Sequence, residues 1–124
     1  MEKSKKKVFI SQPMAGLTDE GILARRNELI EKIKSWFPEE DLEFIDSYTK
    51  PEEIAGRGRI AMLGDSIMKM QDANLCVFAA GWKNSPGCRV EHEVCVQYQI
   101  QRLFEELKTV PLKSDQNHTA KYWR

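Results

Sequence analysis

The stretch Ala80–Cys95, AGWKNSPGCRVEHEVC, constrains the fold more than any other part of the chain. An apolar run, Leu75–Ala80, stops at Gly81. Turn chemistry follows in Asn84, Ser85, Pro86 and Gly87, because Pro presets φ while Gly and Asn accept backbone conformations other residues resist. A helical pattern then opens, with Glu91 in its first turn or two. Strand, turn and helix in this order build an open α/β sheet. A carboxylate so placed lies at the mouth of the sheet, where such folds bind ligands.

The rest of the chain repeats the unit. Lys7–Ser11 (KVFIS) is a short apolar run suited to a central parallel strand buried on both faces. Gln12–Leu17 is a loop marked by Pro13 and Gly16. Thr18 or Asp19 can cap a helix over Asp19–Phe37, whose Ile22, Leu23, Leu29, Ile30, Ile33, Trp36 and Phe37 recur at helical spacing until Pro38. Leu42–Ile45 reads as a second strand and leads into Asp46; Ser47–Arg59 is a loop. Ile60, Leu63, Ile67 and Met70 predict a helix over Ile60–Gln71, with Met62, Met68 and Met70 as core filler. Asn74–Ala80 is a third strand, and Cys88–Ile100 a helix with Val90, Val94, Cys95 and Tyr98 on its apolar side. Gln101–Leu107 either continues that helix or forms a fourth strand. Alternation of this kind predicts a single Rossmann-like or flavodoxin-like α/β domain over residues 7–107. A parallel sheet of about four strands would carry helices on both faces, between a basic tail at 1–6 and a polar tail at 108–124.

At 124 residues the chain is long enough to bury one core, and its formal net charge of +0 points to neither nucleic acid nor a membrane surface as partner. The h-region of a signal peptide is absent, and no apolar run approaches the ~20 residues of a membrane span, so a cytoplasmic protein is expected. Cys76, Cys88 and Cys95 form no metal-ligand spacing and no expected disulfide, and neither a metal nor another cofactor is called for. Cys88 stands apart: at a helix N-terminus the dipole would lower its pKa and make it reactive.

Other residues carry two readings each. Gly87 and Cys88 open a helix whose free N–H groups suit a phosphate, with Ser85 adding a hydroxyl; a plain N-terminal turn is the alternative. Asp46 ends a strand where an acid binds ribose hydroxyls or simply forms a turn. Trp82 either stacks on a base or walls the pocket. His92 points about 100° away from Glu91 on a helix and reads as packed or solvated. Cys88, Glu91 and Cys95 share one side.

Two segments together, ISQPMAGLTDE (Ile10–Glu20) and SIMKMQDANLCVFAAGWKNSPGCRVEHEVCVQY (Ser66–Tyr98), resemble the nucleoside 2-deoxyribosyltransferase-like superfamily. The nearest likeness is to its small branch with SQPM and GW…GCxxE motifs. The resemblance implies a Rossmann-like fold and a nucleoside or nucleotide ligand. It implies that Glu91 attacks the anomeric carbon of a deoxyribonucleoside, and that Ser11, Gln12, Met14 and Gly16 contact base and sugar. Asp65 or Ser66 stands nearest the aspartate that the family carries in the helix before strand 3. Asp65 would be the proton donor to the leaving base if burial raises its pKa. Between Ala73 and Val90 the chain has no acidic residue, where characterised transferases carry one. The resemblance also implies a homo-oligomer.

Overall fold

The computed structural model describes residues 5–48 and 58–107. Residues 1–4 of the expected tail at 1–6, the expected tail at 108–124 and most of the glycine-containing loop (49–57) lie outside the described residues, while Lys6, expected in the tail, is the first residue of a strand. Strand β1 (Lys6–Ser11) is the axis of the sheet, with its last four residues buried. It pairs in parallel with β2 (Leu42–Phe44) on one side and β3 (Leu75–Phe78) on the other, and β4 (Gln101–Phe104) extends the sheet beyond β3. The order is β2-β1-β3-β4. Helix α1 (Asp19–Trp36) joins β1 to β2, α2 (Arg59–Lys69) leads through a 3₁₀ turn to β3, and α3 (Pro86–Tyr98) joins β3 to β4. This is an α/β fold of the Rossmann-like or flavodoxin-like kind. Among the described residues, no helix is long and apolar enough to cross a membrane.

The period-2 alternation of a strand divides the core between the two faces. Val8, Ile10, Leu75, Val77 and Ala79 meet Leu29 and Ile33 of α1. Phe9, Cys76, Phe78 and Phe104 meet Cys88 and Cys95 of α3, with Met70 and Trp82. Each such side chain, fully buried, contributes roughly 1.5–3 kcal/mol. Because Phe9 faces the α3 side, so does Ser11, at the strand's carboxyl end. The two loops leaving β1 and β3 diverge to opposite faces, which makes the carboxyl ends of these neighbouring strands a topological switch point.

Local chemistry fixes the helix ends. Thr18 caps α1, its Oγ1 accepting the Gly21 N–H at 3.0 Å. Ser85 caps α3 and Pro86 occupies the first position, where a missing N–H costs nothing. The turn out of β3 passes through Gly81 at φ 86°, a left-handed conformation that a Cβ would strain.

Several boundaries shift. The third strand ends at Phe78, before Ala80, and α3 starts two residues before Cys88. It stops at Tyr98 because Gln99 turns left-handed at φ 59°, and that break releases Gln101–Phe104 as a strand. Val90 and Tyr98 are exposed, so the side of α3 expected to be apolar is rotated: Cys88, Glu91 and Cys95 face inward. On α2 no residue is buried, Ile60 and Met68 are exposed, and of the three methionines only Met70, just past the helix, is core. Leu23 of α1 is exposed as well.

Candidate functional site

Glu91 lies in the second turn of α3, facing the sheet, with 7% of its surface exposed. A buried carboxylate needs hydrogen-bond donors to offset lost hydration. Two serines supply them. Ser11 Oγ, at the end of β1, donates to Oε1 at 2.6 Å, and Ser66 Oγ, on α2, donates to Oε2 at 2.7 Å. Residues 80 and 25 positions away thus converge on one side chain. Burial pushes the Glu91 carboxyl above the ordinary glutamate range, while the bonds from Ser11 and Ser66 pull the other way. A charged form held by hydroxyls in a poorly hydrated place is a strong base and nucleophile.

The choice between Asp65 and Ser66 is settled by helix rotation. Adjacent residues differ by about 100°, so only one can face α3. Ser66 does. Asp65, the expected proton donor, is instead ion-paired with Lys69 at 3.2 Å, while the hydrogen bonds of Glu91 go to the two serines.

Cys88 sits one turn before Glu91 and is 2% exposed. Its thiol is not activated as the helix dipole alone would have it. Burial pushes its pKa up, against hydrogen bonds with Ser11 and Ser85, and the Glu91 charge adds to the rise. Ser85 is occupied as the cap, accepting the Cys88 N–H at 3.4 Å. At Gly87 a Cβ would lie 3.8 Å from Leu63 Cδ1, in ordinary contact, so packing does not demand a glycine there.

Trp82 belongs to the core. It is 5% exposed and stacks on the His92 ring at 4.6 Å and 25°, with Phe78 and Phe104 at 5.1 and 5.5 Å. Stacking on a base is therefore not its role in this geometry. Of the two readings for His92, packed or solvated, the ring contacts with Phe78 and Trp82 give the packed one. Arg102 Nη1 lies 3.0 Å from His92 Nε2, and since arginine only donates, Nε2 accepts and the ring proton rests on Nδ1. Burial, then the Arg102 charge, lowers the pKa of His92.

The loop after β1 is held in shape. Met14, half-buried, accepts the Leu17 N–H at 3.1 Å through its carbonyl, and Gly16 turns at φ 80°. Gln12 is buried; its Nε2 donates to the Ile22 carbonyl at 3.2 Å, and its Oε1 has no hydrogen-bond partner among the described residues. Asp46 is exposed beyond β2, and the buried group there is Ser47, whose hydroxyl donates to the Ile10 carbonyl at 3.1 Å. On the α1 side, a cleft of about 570 Å³ is lined in part by Pro13, Leu17, Arg25 and Ala80.

One polar centre escaped sequence reasoning. Glu105, just past β4, is 5% exposed and receives Lys32 Nζ at 2.6 Å, the Ala80 N–H at 2.8 Å and Arg25 Nη2. Burial alone would raise its carboxyl; the bonds from Lys32, Ala80 and Arg25 outweigh that and hold it below the ordinary range. Only an acid at a strand's carboxyl end could have hinted at it, and that strand was ambiguous. Comparison with protein-family models, with curated protein sequences and with solved structures gives no match for this chain.

Proposed function

We propose that the protein is a nucleoside 2-deoxyribosyltransferase-like enzyme. It would cleave or transfer the N-glycosidic bond of a deoxyribonucleoside or its 5′-monophosphate. The observation that carries this reading is Glu91: a buried carboxylate at the switch point of the sheet, with one serine hydroxyl on each oxygen. Breaking the bond to the base develops positive charge at the anomeric carbon, which a carboxylate beneath it stabilises or traps as a glycosyl ester. The base leaves with the bonding electrons and takes up a proton. A second base or water then displaces Glu91. Ser11 and Ser66 fix the oxygens, so attack needs little reorganisation. The route uses a side-chain carboxylate as nucleophile and asks for no cofactor.

A non-catalytic module that binds a nucleotide-derived molecule on the same fold is the second reading. What favours it is that Asp65 is ion-paired with Lys69 while both hydrogen bonds of Glu91 come from serines, so among the described residues no acid shares a hydrogen bond with the nucleophile. A cytoplasmic homo-oligomer belongs to either reading.

The deciding experiment is chromatography of pooled deoxynucleosides and deoxynucleoside monophosphates after incubation, with and without an acceptor base. Wild type runs beside Glu91→Ala. Free base from wild type alone establishes the glycosyl enzyme, and dependence on acceptor separates transfer from hydrolysis. No release by either protein, with thermal stabilisation by a nucleotide, leaves the binding module.

A further inference from the structure

Glu105 gathers three distant parts of the chain. Its donors Arg25 and Lys32 lie on α1, 80 and 73 residues away, and Ala80 lies 25 residues away in the loop from β3 to α3. Its own N–H donates to the Phe78 carbonyl at 3.0 Å, which continues the pairing of β4 with β3 and fixes where the carboxylate starts from. Pairing with cations and hydrogen bonding offset the cost of burying a carboxylate. Here two cations carry the charge, and the remaining donor is the backbone of the loop itself.

That loop delivers the candidate site. Ala80 opens it, Ser85 closes it as the cap of α3, and Cys88 and Glu91 follow within two turns. Trp82 buries the middle of the loop, and Arg89 Nη1 ties the Lys83 carbonyl at 2.8 Å. At its start the Ala79 N–H donates to the Ser11 carbonyl at 2.9 Å and the next N–H, of Ala80, to Glu105, the side-chain anchor of the loop.

We infer that Glu105 is a positioning residue: through the Ala80 N–H it fixes the β3–α3 loop, and so holds the first turns of α3 with Cys88 closed against the sheet and Glu91 in register with Ser11. The inference rests on the reading of Glu91 as the reacting group, but its test does not require turnover. Arg25 and Lys32 make the anchor tolerable by satisfying its charge. They reach it from α1, on the opposite face of the sheet from Glu91. Glu105 therefore acts on the site through backbone and not by touching substrate.

The test is alkylation of the native full-length protein with N-ethylmaleimide, read for each cysteine by mass spectrometry. Wild type, Glu105→Ala and Glu105→Gln are compared at one pH. Cys76, Cys88 and Cys95 are 0, 2 and 1% exposed, so each reacts only after opening. In Glu105→Ala the rate at Cys88 relative to Cys76 and Cys95 rises about tenfold or more, as loss of a hydrogen bond to a charged group would give. Glu105→Gln keeps an acceptor for the Ala80 N–H and restores most of the protection. In turnover, kcat falls in Glu105→Ala with KM little changed. The proposal is overturned if the three cysteines accelerate together, which is global unfolding, if the Cys88 ratio does not move, or if Gln protects no better than Ala. Should wild type release no base, the Cys88 ratio still decides the role of Glu105, and only the enzyme reading falls.

Discussion

Glu91 and Glu105 are the same residue type, each with little exposed surface at the carboxyl end of the sheet, yet their acidities move in opposite directions. The Glu91 carboxyl is the more deeply enclosed by protein, and the donors differ as well. Two neutral hydroxyls leave Glu91 with its charge uncompensated, so burial wins. Two cations and a backbone amide compensate Glu105, so burial loses. Desolvation alone therefore identifies neither a reactive nor a structural acid; the formal charge of the partners decides. Glu91 is held in a state that costs stability and favours chemistry. Glu105 is held in one that ties elements together.

The largest effect that would break this contrast is on turnover. Glu91→Ala is expected to lower base release by at least about 10³-fold, as loss of a covalent nucleophile does, while Glu105→Gln retains measurable activity. Equal losses would mean the two acids are not functionally distinct. The next largest effect is on stability. Glu105→Ala strands the Ala80 N–H, but Arg25 and Lys32 are partly solvated and can turn to water. The expected cost is about 2 kcal/mol, seen as a fall in Tm of roughly 10 °C by calorimetry. Because the folded pKa of Glu105 is depressed, its contribution is present above the ordinary glutamate range. It is lost as pH falls through the folded value, so variant and wild type converge in acid. A gap that persists in strong acid would show that the carboxylate charge is not what stabilises.

The strands and helices were readable because the unbroken apolar runs Val8–Ile10 and Leu75–Phe78, and helical spacing in Asp19–Phe37, reflect burial on two faces of one sheet. Glu91 was readable because turn chemistry at Ser85–Gly87 places it in the second turn of a helix at a strand's carboxyl end. Its partners were harder. Choosing Ser66 over Asp65 requires the rotation of α2, and a one-residue error there swings a side chain by about 100°. Trp82 stayed open between two readings because a tryptophan beside a site and one in the core follow strands equally well; its stacking on His92 is a tertiary fact. Glu105 was out of reach altogether: its side-chain donors on α1 are 73 and 80 residues distant, and its own segment depended on the left-handed Gln99.

A smaller effect sharpens the comparison from the other side. The folded pKa of Glu91 is raised, so its ionisation works against the fold. Its favourable contribution is complete below the unfolded pKa and disappears as pH rises through the folded one. Glu91→Gln keeps hydrogen bonding to Ser11 and Ser66 without the charge. It is expected to raise stability by about 1 kcal/mol at neutral pH, measured by urea unfolding, with the gain vanishing in acid. Replacing Glu105 in the same way destabilises. One substitution with opposite signs at two sites of similarly small exposure would separate an acid kept for reactivity from one kept for structure. Destabilisation by Glu91→Gln would instead place Glu91 with Glu105 as a structural group.

The smallest effect concerns the hydroxyls themselves. Ser11 and Ser66 both favour the charged form of Glu91, so removing either raises its pKa further. Turnover that requires the carboxylate falls as pH drops through that pKa, giving an acid limb above the ordinary glutamate range. In Ser66→Ala that limb moves to still higher pH, and kcat on the plateau falls about three- to tenfold through looser orientation of Oε2. Ser11→Ala moves the limb in the same direction, since its hydroxyl donates to the other oxygen of Glu91. The pH profiles of both variants beside wild type check this. If Ser66→Ala moves the limb downward or leaves it fixed, the hydroxyl does not act on the ionised carboxylate, and the electrostatic distinction between Glu91 and Glu105 would have to come from burial and from the cations around Glu105.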